Sequence, residues 1–158
     1  MFLWPTGSND ILGKIIQTGE GGEDEPTHVA VVLDSCLLEA TALGVRKTPL
    51  PKYAHRRRQV WEIEVPEPTH GVLAAEILEG RSYSYLACFS GLLRDRFGIK
   101  LPFISCCQDD CSEVGTIYLR CQGLEVFGID NPAAITPKDL YVEMMRLGGR
   151  LVEEWLIK

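Results

Sequence analysis

The chain has 158 residues, of which 46% are hydrophobic and 24% are charged, and its formal net charge is −6. This length and composition predict one globular domain over residues 1–158. The acidic balance argues against a nucleic-acid-binding surface, and no apolar run is long enough to span a bilayer. The first residues lack the basic and apolar regions of a signal peptide, which predicts a cytoplasmic protein without stable membrane insertion.

The first half of the chain has the pattern of strands. Residues 27–33 are almost continuously apolar and β-branched, which predicts a central strand, and Asp34 and Ser35 indicate a turn. Residues 36–41 are then expected to return as the antiparallel partner. The other predictions in this half are a short helix at 10–17, an acidic loop at 18–26, a loop at 44–51, a basic patch at 53–58 and a strand at 59–65.

The second half has helical periodicity and capping signals. We expect helices at 69–79 with Thr69 as the N-cap, at 83–97 ending at Gly98, from Cys111 onward, and from Pro137 to about 147. Residues 151–157 fit either a last strand or a helical extension. Because strands precede helices along the chain, the order predicts an α+β domain rather than alternating βαβ units.

Residues 108–115 combine a helix start with a thiol. Asp110 is a good N-cap, and Glu113 is placed to reach back to it, as in a capping box. Cys111 is expected to be the first helical residue, where unpaired N–H groups favour a thiolate and can hold an oxyanion. The carboxylates of Asp109, Asp110 and Glu113 oppose this because they raise the pKa of a nearby thiol, so a cationic partner such as a histidine is required.

Among the three histidines, His28 is the best candidate for this partner because it opens the predicted central strand. His55 lies beside three arginines, and His70 lies in the first turn of a predicted helix. Both are therefore expected to face solvent.

Strand register selects the group that would orient His28. With a two-residue turn at 34–35, Glu39 shares the face of His28 one diagonal step away, within reach of the imidazole. Thr41 is then directly opposite His28 and is the second candidate. A three-residue turn would move Glu39 to the other face of the strand.

Ordinary structural roles remain open for each of these residues. Cys111 fits a small buried hydrophobe, His28 a hydrogen-bonded histidine at a strand end, and Glu39 a solvated strand carboxylate. All six cysteines are expected to be thiols in a reducing compartment, with Cys88 and Cys121 in the core.

A zinc-binding module is the first competing interpretation. It would use a histidine together with Cys106, Cys107, Cys111 and Cys121. Adjacent cysteines followed by a four-residue step do not match the spacing of zinc ribbons or zinc fingers, so we expect no metal site.

Several short pieces of the chain, taken in order, resemble one family. They are Asn9-Asp10-Ile11-Leu12, Thr27-His28-Val29-Ala30-Val31-Val32-Leu33, Leu38-Glu39-Ala40 followed by Gly44-Val45, Tyr83-Ser84-Tyr85, Cys111-Ser112-Glu113 and Ile135-Thr136-Pro137-Lys138-Asp139-Leu140. The ordered set resembles the circularly permuted branch of the NlpC-type papain-like hydrolases, and its YiiX-like members in particular. Two positions depart from the family pattern, because Asp110 stands where an aromatic residue is frequent and Asn9 where glycine is usual.

The resemblance implies a papain-like fold, in which a small antiparallel sheet packs against the helix that carries the cysteine. It makes Cys111 the nucleophile, His28 the general base and acid, and Glu39 the orienting group. Tyr83 and Tyr85 become candidates for lining the substrate pocket. The family hydrolyses or transfers acyl groups at amides, thioesters or lipid esters, including the peptide stems of peptidoglycan, and needs no cofactor.

A catalytically silent papain-like binding protein, or a phage accessory protein, is the second competing interpretation. Because no export signal is visible, we expect an acyl or peptide substrate inside the cytoplasm, or delivery by a virion or a lysis system. The cluster Arg56-Arg57-Arg58 is expected to be a solvated basic turn, with contact to an acidic substrate as the alternative.

Overall fold

The computed structural model describes residues 1–5, 25–84, 108–128 and 130–155. Over these residues the chain is mixed α and β, which confirms the predicted α+β class. The helices are α1 (His70–Leu78), α2 (Cys111–Cys121) and α3 (Pro137–Arg146). The strands are β1 (Phe2–Leu3), β2 (His28–Val29), β3 (Val31–Val32), β4 (Cys36–Thr41), β5 (Gly44–Pro49), β6 (Arg58–Glu62), β7 (Ser82–Tyr83), β8 (Gln108–Asp109) and β9 (Arg150–Trp155). None of the helices in the described part is long and apolar enough to cross a membrane.

The strands form two antiparallel sheets and one short parallel pair. The first sheet has the order β2-β1-β6-β9, the second has the order β3-β4-β5, and β7 pairs with β8 in parallel. The prediction of one central strand at 27–33 is wrong, because this segment forms an edge strand of each sheet, β2 in the first and β3 in the second. The segment breaks at Ala30, whose N–H donates to Met1 O at 2.9 Å, so β2 pairs with β1 while β3 pairs with β4.

The register of the hairpin formed by β3 and β4 is the predicted one. Val31 pairs with Leu38, and the N–H of Leu33 donates to the carbonyl of Cys36 at 2.9 Å, which leaves a two-residue turn at 34–35. The same register carried past the end of β3 brings Glu39 near Ala30, one step from His28. The turn length was the feature on which the position of Glu39 depended.

The prediction of a loop at 44–51 is wrong, because residues 44–49 form β5. This strand pairs with β4 along its whole length, from Cys36 opposite Pro49 to Thr41 opposite Gly44. Gly44 has φ of 96° and the position of a Cβ there would be 2.7 Å from Arg81 O, so a glycine is required for this tight turn. The charged and proline-containing sequence has weak strand propensity, and pairing with a buried neighbour overrides it.

The helical predictions of the second half are largely confirmed. Asp110 caps α2 by accepting the N–H of Glu113 at 2.8 Å, and α3 begins at the predicted Pro137. Thr69 precedes α1 as predicted but makes no side-chain capping bond. Residues 150–155 form the strand β9 rather than a helical extension.

Two helical predictions fall wholly or largely outside the described residues. The helix expected at 10–17 lies there entirely. Of the helix expected at 83–97, only the first two residues are described, and Tyr83 belongs to β7. Tyr83 is therefore a strand residue, paired in register with Asp109, and not the first residue of a helix.

The core divides around the cysteine-bearing helix α2. One cluster fills the space between the second sheet, α1 and α2, and consists of Leu38, Ala40, Val45, Ala75, Leu78, Cys111 and Val114. Another lies between the first sheet, α2 and α3, and includes Phe2, Trp4, Val29, Ile135, Leu140 and Met144. Cys121 is exposed at the end of α2, so the prediction of a core thiol is wrong there, and Cys88 lies outside the described residues.

The two threonines that precede α1 and α3 provide a matched test of capping. Thr136 accepts the N–H of Asp139, whose carboxylate accepts the N–H of Thr136, whereas Thr69 makes no such bond. We expect Thr136→Ala to lower the free energy of unfolding by about 1 kcal/mol, and Thr69→Ala to leave it nearly unchanged. Urea denaturation monitored by circular dichroism measures both, and equal losses would contradict the capping assignment.

Candidate functional site

A buried carboxylate, that of Glu39, is the centre of the candidate site. Its side chain is 0% exposed. Oε2 lies 2.7 Å from His28 Nε2 and accepts the hydroxyl of Tyr53 at 2.6 Å. Oε1 accepts the hydroxyl of Thr48 at 2.7 Å and the ammonium of Lys52 at 2.5 Å. Four donors therefore surround the two oxygens, which is the condition for keeping a buried carboxylate ionised.

The electrostatic balance at Glu39 follows from these contacts. Burial alone would raise the pKa of Glu39, but the hydrogen bond and charge of His28 outweigh it, together with hydrogen bonds from Lys52 and Tyr53. The pKa falls from the ordinary value of 4.5 to about 2. Glu39 is thus a fixed negative charge at neutral pH.

The donors to Glu39 come from the segment that follows the hairpin. Thr48 lies on β5 opposite Leu37, on the same face of the sheet as Glu39. A 3-10 turn at Leu50–Tyr53 then folds back over this face and carries Lys52 and Tyr53 to the carboxylate. Sequence reasoning missed these residues because β5 was predicted as a loop. The sequence of β5 does not alternate between apolar and polar residues, so no local signal would have found them.

His28 is held in one orientation by its contact with Glu39. Its side chain is 18% exposed, and its ring centroid is 6.1 Å from that of Tyr53, with the planes tilted by 51°. Because Nε2 faces the carboxylate, Nδ1 is the nitrogen that can exchange a proton with another group. The predicted pairing of His28 with Glu39 is therefore present as a direct contact, and Thr41 instead bonds within its own turn, to Gly44 O at 3.2 Å.

Cys111 is the first residue of α2, as predicted, and is 4% exposed. It packs in the aliphatic cluster that includes Leu38 and Ala40, the two neighbours of Glu39 along β4. Since successive side chains alternate across a strand, Leu38 and Ala40 lie on the face of β4 opposite to Glu39. Cys111 also acts on the phenol that donates to Glu39, because burial, the hydrogen bond to Glu39, and the charges of Glu39 and Cys111 all raise the pKa of Tyr53.

Three buried carboxyl groups surround the start of α2. Burial and the charges of Asp110 and Asp109 raise the pKa of Glu113 to about 8, and burial raises the pKa of Asp110 to about 6. Burial also raises the pKa of Asp109, although Arg81 Nε lies 2.8 Å from its Oδ2 and acts in the opposite direction. Glu113 therefore holds a proton at neutral pH, which removes one negative charge from the neighbourhood of Cys111.

Of the two tyrosines predicted to line a substrate pocket, Tyr83 lies in the described part of the chain. Tyr83 is half-buried and packs against the cluster that contains Cys111, on a strand paired with Asp109. Tyr85 lies outside the described residues. Tyr83 thus packs against the cluster to which the thiol belongs, and its role in a pocket stays a prediction.

The arginines at 56–58 form a structural cluster rather than the solvated turn predicted from the sequence. Arg56 donates to Trp4 O at 2.8 Å, and the Arg57 guanidinium lies 4.8 Å from the ring of Trp4. Arg58 donates to Tyr53 O at 3.0 Å and also binds Glu153. All three are half-buried because they tie the 3-10 turn to the first sheet.

A cavity of about 570 Å³ lies in the other core, beside Val29, Gly115, Leu140 and Trp61. Cys111, His28 and Glu39 do not line it, so it is not a pocket of the thiol.

Within the described part of the chain, no group of three or more His, Cys, Asp or Glu side chains is arranged to hold a metal ion. Cys36, Cys111 and Cys121 are thiols that are not joined in a disulfide.

Comparison with protein families, with curated proteins and with solved structures finds no match for this chain.

The low pKa of Glu39 makes the free energy of unfolding depend on pH in the acidic range. Its folded-state pKa of about 2 is below the ordinary value of 4.5, so its ionised form stabilises the fold above pH 4.5, and this contribution is lost as the pH falls through 2. The shift corresponds to about 3 kcal/mol. We expect Glu39→Gln to be less stable than wild type at pH 7 and to show a smaller loss between pH 5 and 2 in chemical denaturation. Glu62→Gln, at an exposed carboxylate, should follow wild type.

The high pKa of Glu113 has the opposite effect on the pH dependence of the free energy of unfolding. Its folded-state pKa of about 8 is above 4.5, so its neutral form stabilises the fold fully below pH 4.5, and this contribution is lost as the pH rises through 8. We therefore expect Glu113→Gln to gain stability relative to wild type between pH 5 and 9. Denaturation at several pH values measures this, with exposed Glu125→Gln as control. Parallel pH curves for wild type and Glu113→Gln would contradict the shift.

Proposed function

We propose that this protein is a papain-like, cysteine-dependent hydrolase or acyltransferase, with Cys111 as nucleophile, His28 as general base and acid, and Glu39 as the orienting group. The observation that carries the proposal is the contact of 2.7 Å between His28 Nε2 and the ionised, fully hydrogen-bonded Glu39. A carboxylate in this position holds the imidazole in one tautomer and stabilises the imidazolium that forms during the reaction.

The proposed reaction uses the two nitrogens of His28 differently. Nδ1 takes the proton of the Cys111 thiol, and the sulfur attacks the carbonyl carbon of the substrate to form a tetrahedral oxyanion. The N–H groups at the start of α2 bind the oxyanion. The imidazolium then protonates the leaving amine, alcohol or thiol, which departs as the C–X bond breaks. Water or another acceptor gives its proton to His28, attacks the acyl-enzyme, and releases Cys111 as a thiol.

The proposed substrate class follows from the resemblance to the permuted NlpC-type hydrolases. It is an amide, a thioester or a lipid ester, and the peptide stems of peptidoglycan are included. The proposed mechanism needs no cofactor, because a thiolate and an imidazolium supply both the nucleophile and the proton transfer. Tyr83, which packs against the cluster of Cys111, is the described candidate for contacting the acyl group.

A catalytically silent binding protein is the second candidate function, and the surroundings of Cys111 favour it. The thiol is buried and belongs to a largely aliphatic cluster, and three buried carboxyl groups surround its helix start. Both features favour the neutral thiol over the thiolate. In this alternative the pair of His28 and Glu39 stabilises the fold without taking part in a reaction.

Alkylation of the cysteines at pH 5.5 separates the two candidates. A thiol with an ordinary pKa of about 8.5 is almost wholly neutral at this pH, whereas one paired with His28 is a thiolate. We expect Cys111 to react with iodoacetamide on the order of 100-fold faster than the exposed Cys121, as measured by peptide mass spectrometry. The fast reaction should disappear in Cys111→Ala.

The histidine variants provide the matched control. His28→Gln should reduce the rate at Cys111 to that of an ordinary thiol, and His55→Gln, at an exposed histidine, should leave it unchanged. Slow labelling of Cys111 in wild type, equal to or below that of Cys121, would exclude the hydrolase proposal and support the silent binding protein.

A further inference from the structure

Tyr53 and His28 bind the same oxygen atom of Glu39. The phenol donates to Oε2 at 2.6 Å, and His28 Nε2 lies 2.7 Å from that oxygen. Oε1 is occupied separately by Thr48 and Lys52. Tyr53 is 8% exposed and lies within a 3-10 turn, so its hydroxyl has a fixed position.

Two donors on one carboxylate oxygen compete for the same negative charge. The more charge the phenol draws toward itself, the less the oxygen stabilises a proton on the imidazole. Tyr53 remains a donor at neutral pH, because burial and its bond to Glu39 raise the pKa of its hydroxyl. Its effect on His28 is therefore constant across the pH range in which a histidine titrates.

We infer that Tyr53 is a positioning residue, which sets how strongly His28 holds its proton by sharing Oε2 of Glu39 with it. The inference deepens the proposed function, since the proton on His28 is the one exchanged with Cys111. This sharing also limits how strongly Glu39 stabilises the imidazolium of His28. Without it, Glu39 would bind the imidazolium so tightly that His28 would give its proton to the leaving group less readily.

Other charges act on this group of residues from the elements around it. Lys52, on the same turn, binds Oε1 of Glu39, and its ammonium lies 4.8 Å from the centre of the Tyr53 ring. The Arg56 guanidinium lies 5.6 Å from the same ring, and Cys111 approaches from α2. These groups stay in place when the Tyr53 hydroxyl alone is removed, so a Phe substitution isolates the shared bond.

The test is the titration of His28 by NMR. The chain has three histidines, so a background with His55→Gln and His70→Gln, both exposed, leaves one histidine signal. We expect Tyr53→Phe to raise the pKa of His28 by about half a unit to one unit, which is a fraction of the energy of one hydrogen bond to a charged group. Thr48→Val removes a neutral donor from the other oxygen of the same carboxylate and should shift the pKa less than half as far.

Replacing Tyr53 with a fluorinated tyrosine should shift the pKa of His28 in the opposite direction. 3-Fluorotyrosine at position 53 is a stronger donor than tyrosine, so it should lower the pKa of His28 without changing the shape of the side chain appreciably. This variant also decides the matter where Tyr53→Phe does not fold. A shift in the same direction for both variants, equal shifts for Tyr53→Phe and Thr48→Val, or an unchanged pKa would each overturn the inference.

The outcome is separable from that of the proposed function. The His28 titration needs no nucleophile, so it can be repeated with Cys111→Ala, and a shift that persists there supports the role of Tyr53. If Cys111 is alkylated slowly in wild type while Tyr53→Phe still shifts His28, the proposed function fails and the inference about Tyr53 stands. If Cys111 is alkylated rapidly but the pKa of His28 does not shift in Tyr53→Phe, the inference about Tyr53 fails and the proposed function stands.

Discussion

The ionised carboxylate of Glu39, buried inside the domain, is the constraint on which the surrounding structure depends. A charge removed from water is tolerated when donors replace the lost hydration, and here two strands and a 3-10 turn each supply at least one donor. The same contacts connect β2, β4, β5 and the 3-10 turn. Removing one donor would leave the buried charge without that hydrogen-bond partner. We therefore expect this cluster to rigidify the two sheets that contain these strands, as well as to orient His28.

The two sides of the candidate site have opposite electrostatic character. On one side, His28, Lys52 and Tyr53 together lower the pKa of Glu39 to about 2. On the other side, burial and neighbouring carboxylates raise the pKa of Glu113 to about 8, so it is a neutral acid near the thiol. Carboxyl groups whose environments separate their pKa values are a frequent feature of catalytic sites, although buried structural networks produce the same separation. The reactivity of Cys111 distinguishes these two explanations.

Short-range signals in the sequence predicted several elements well. A cap residue and an apolar face were enough for α2, and Thr136 with Pro137 marked the start of α3. The two-residue turn at Asp34 and Ser35 set the register that brings Glu39 to His28. Longer-range features were missed. The strand β5 has weak strand propensity, and the break at Ala30 arises because the N-terminal strand competes with β4 for the same segment.

The sequence by itself determined the helix that begins at Cys111, the hairpin register, and the choice of His28 and Glu39 as a pair, because each depends on residues close together in the chain. Only the tertiary structure decided the burial and ionisation of Glu39, since its donors Thr48, Lys52 and Tyr53 arrive through a strand and a turn that have no strong local signal. It also placed Cys111 in the same buried cluster as Leu38 and Ala40 of β4. Charge and burial depend on what surrounds a side chain in space, and neighbours along the chain do not specify that.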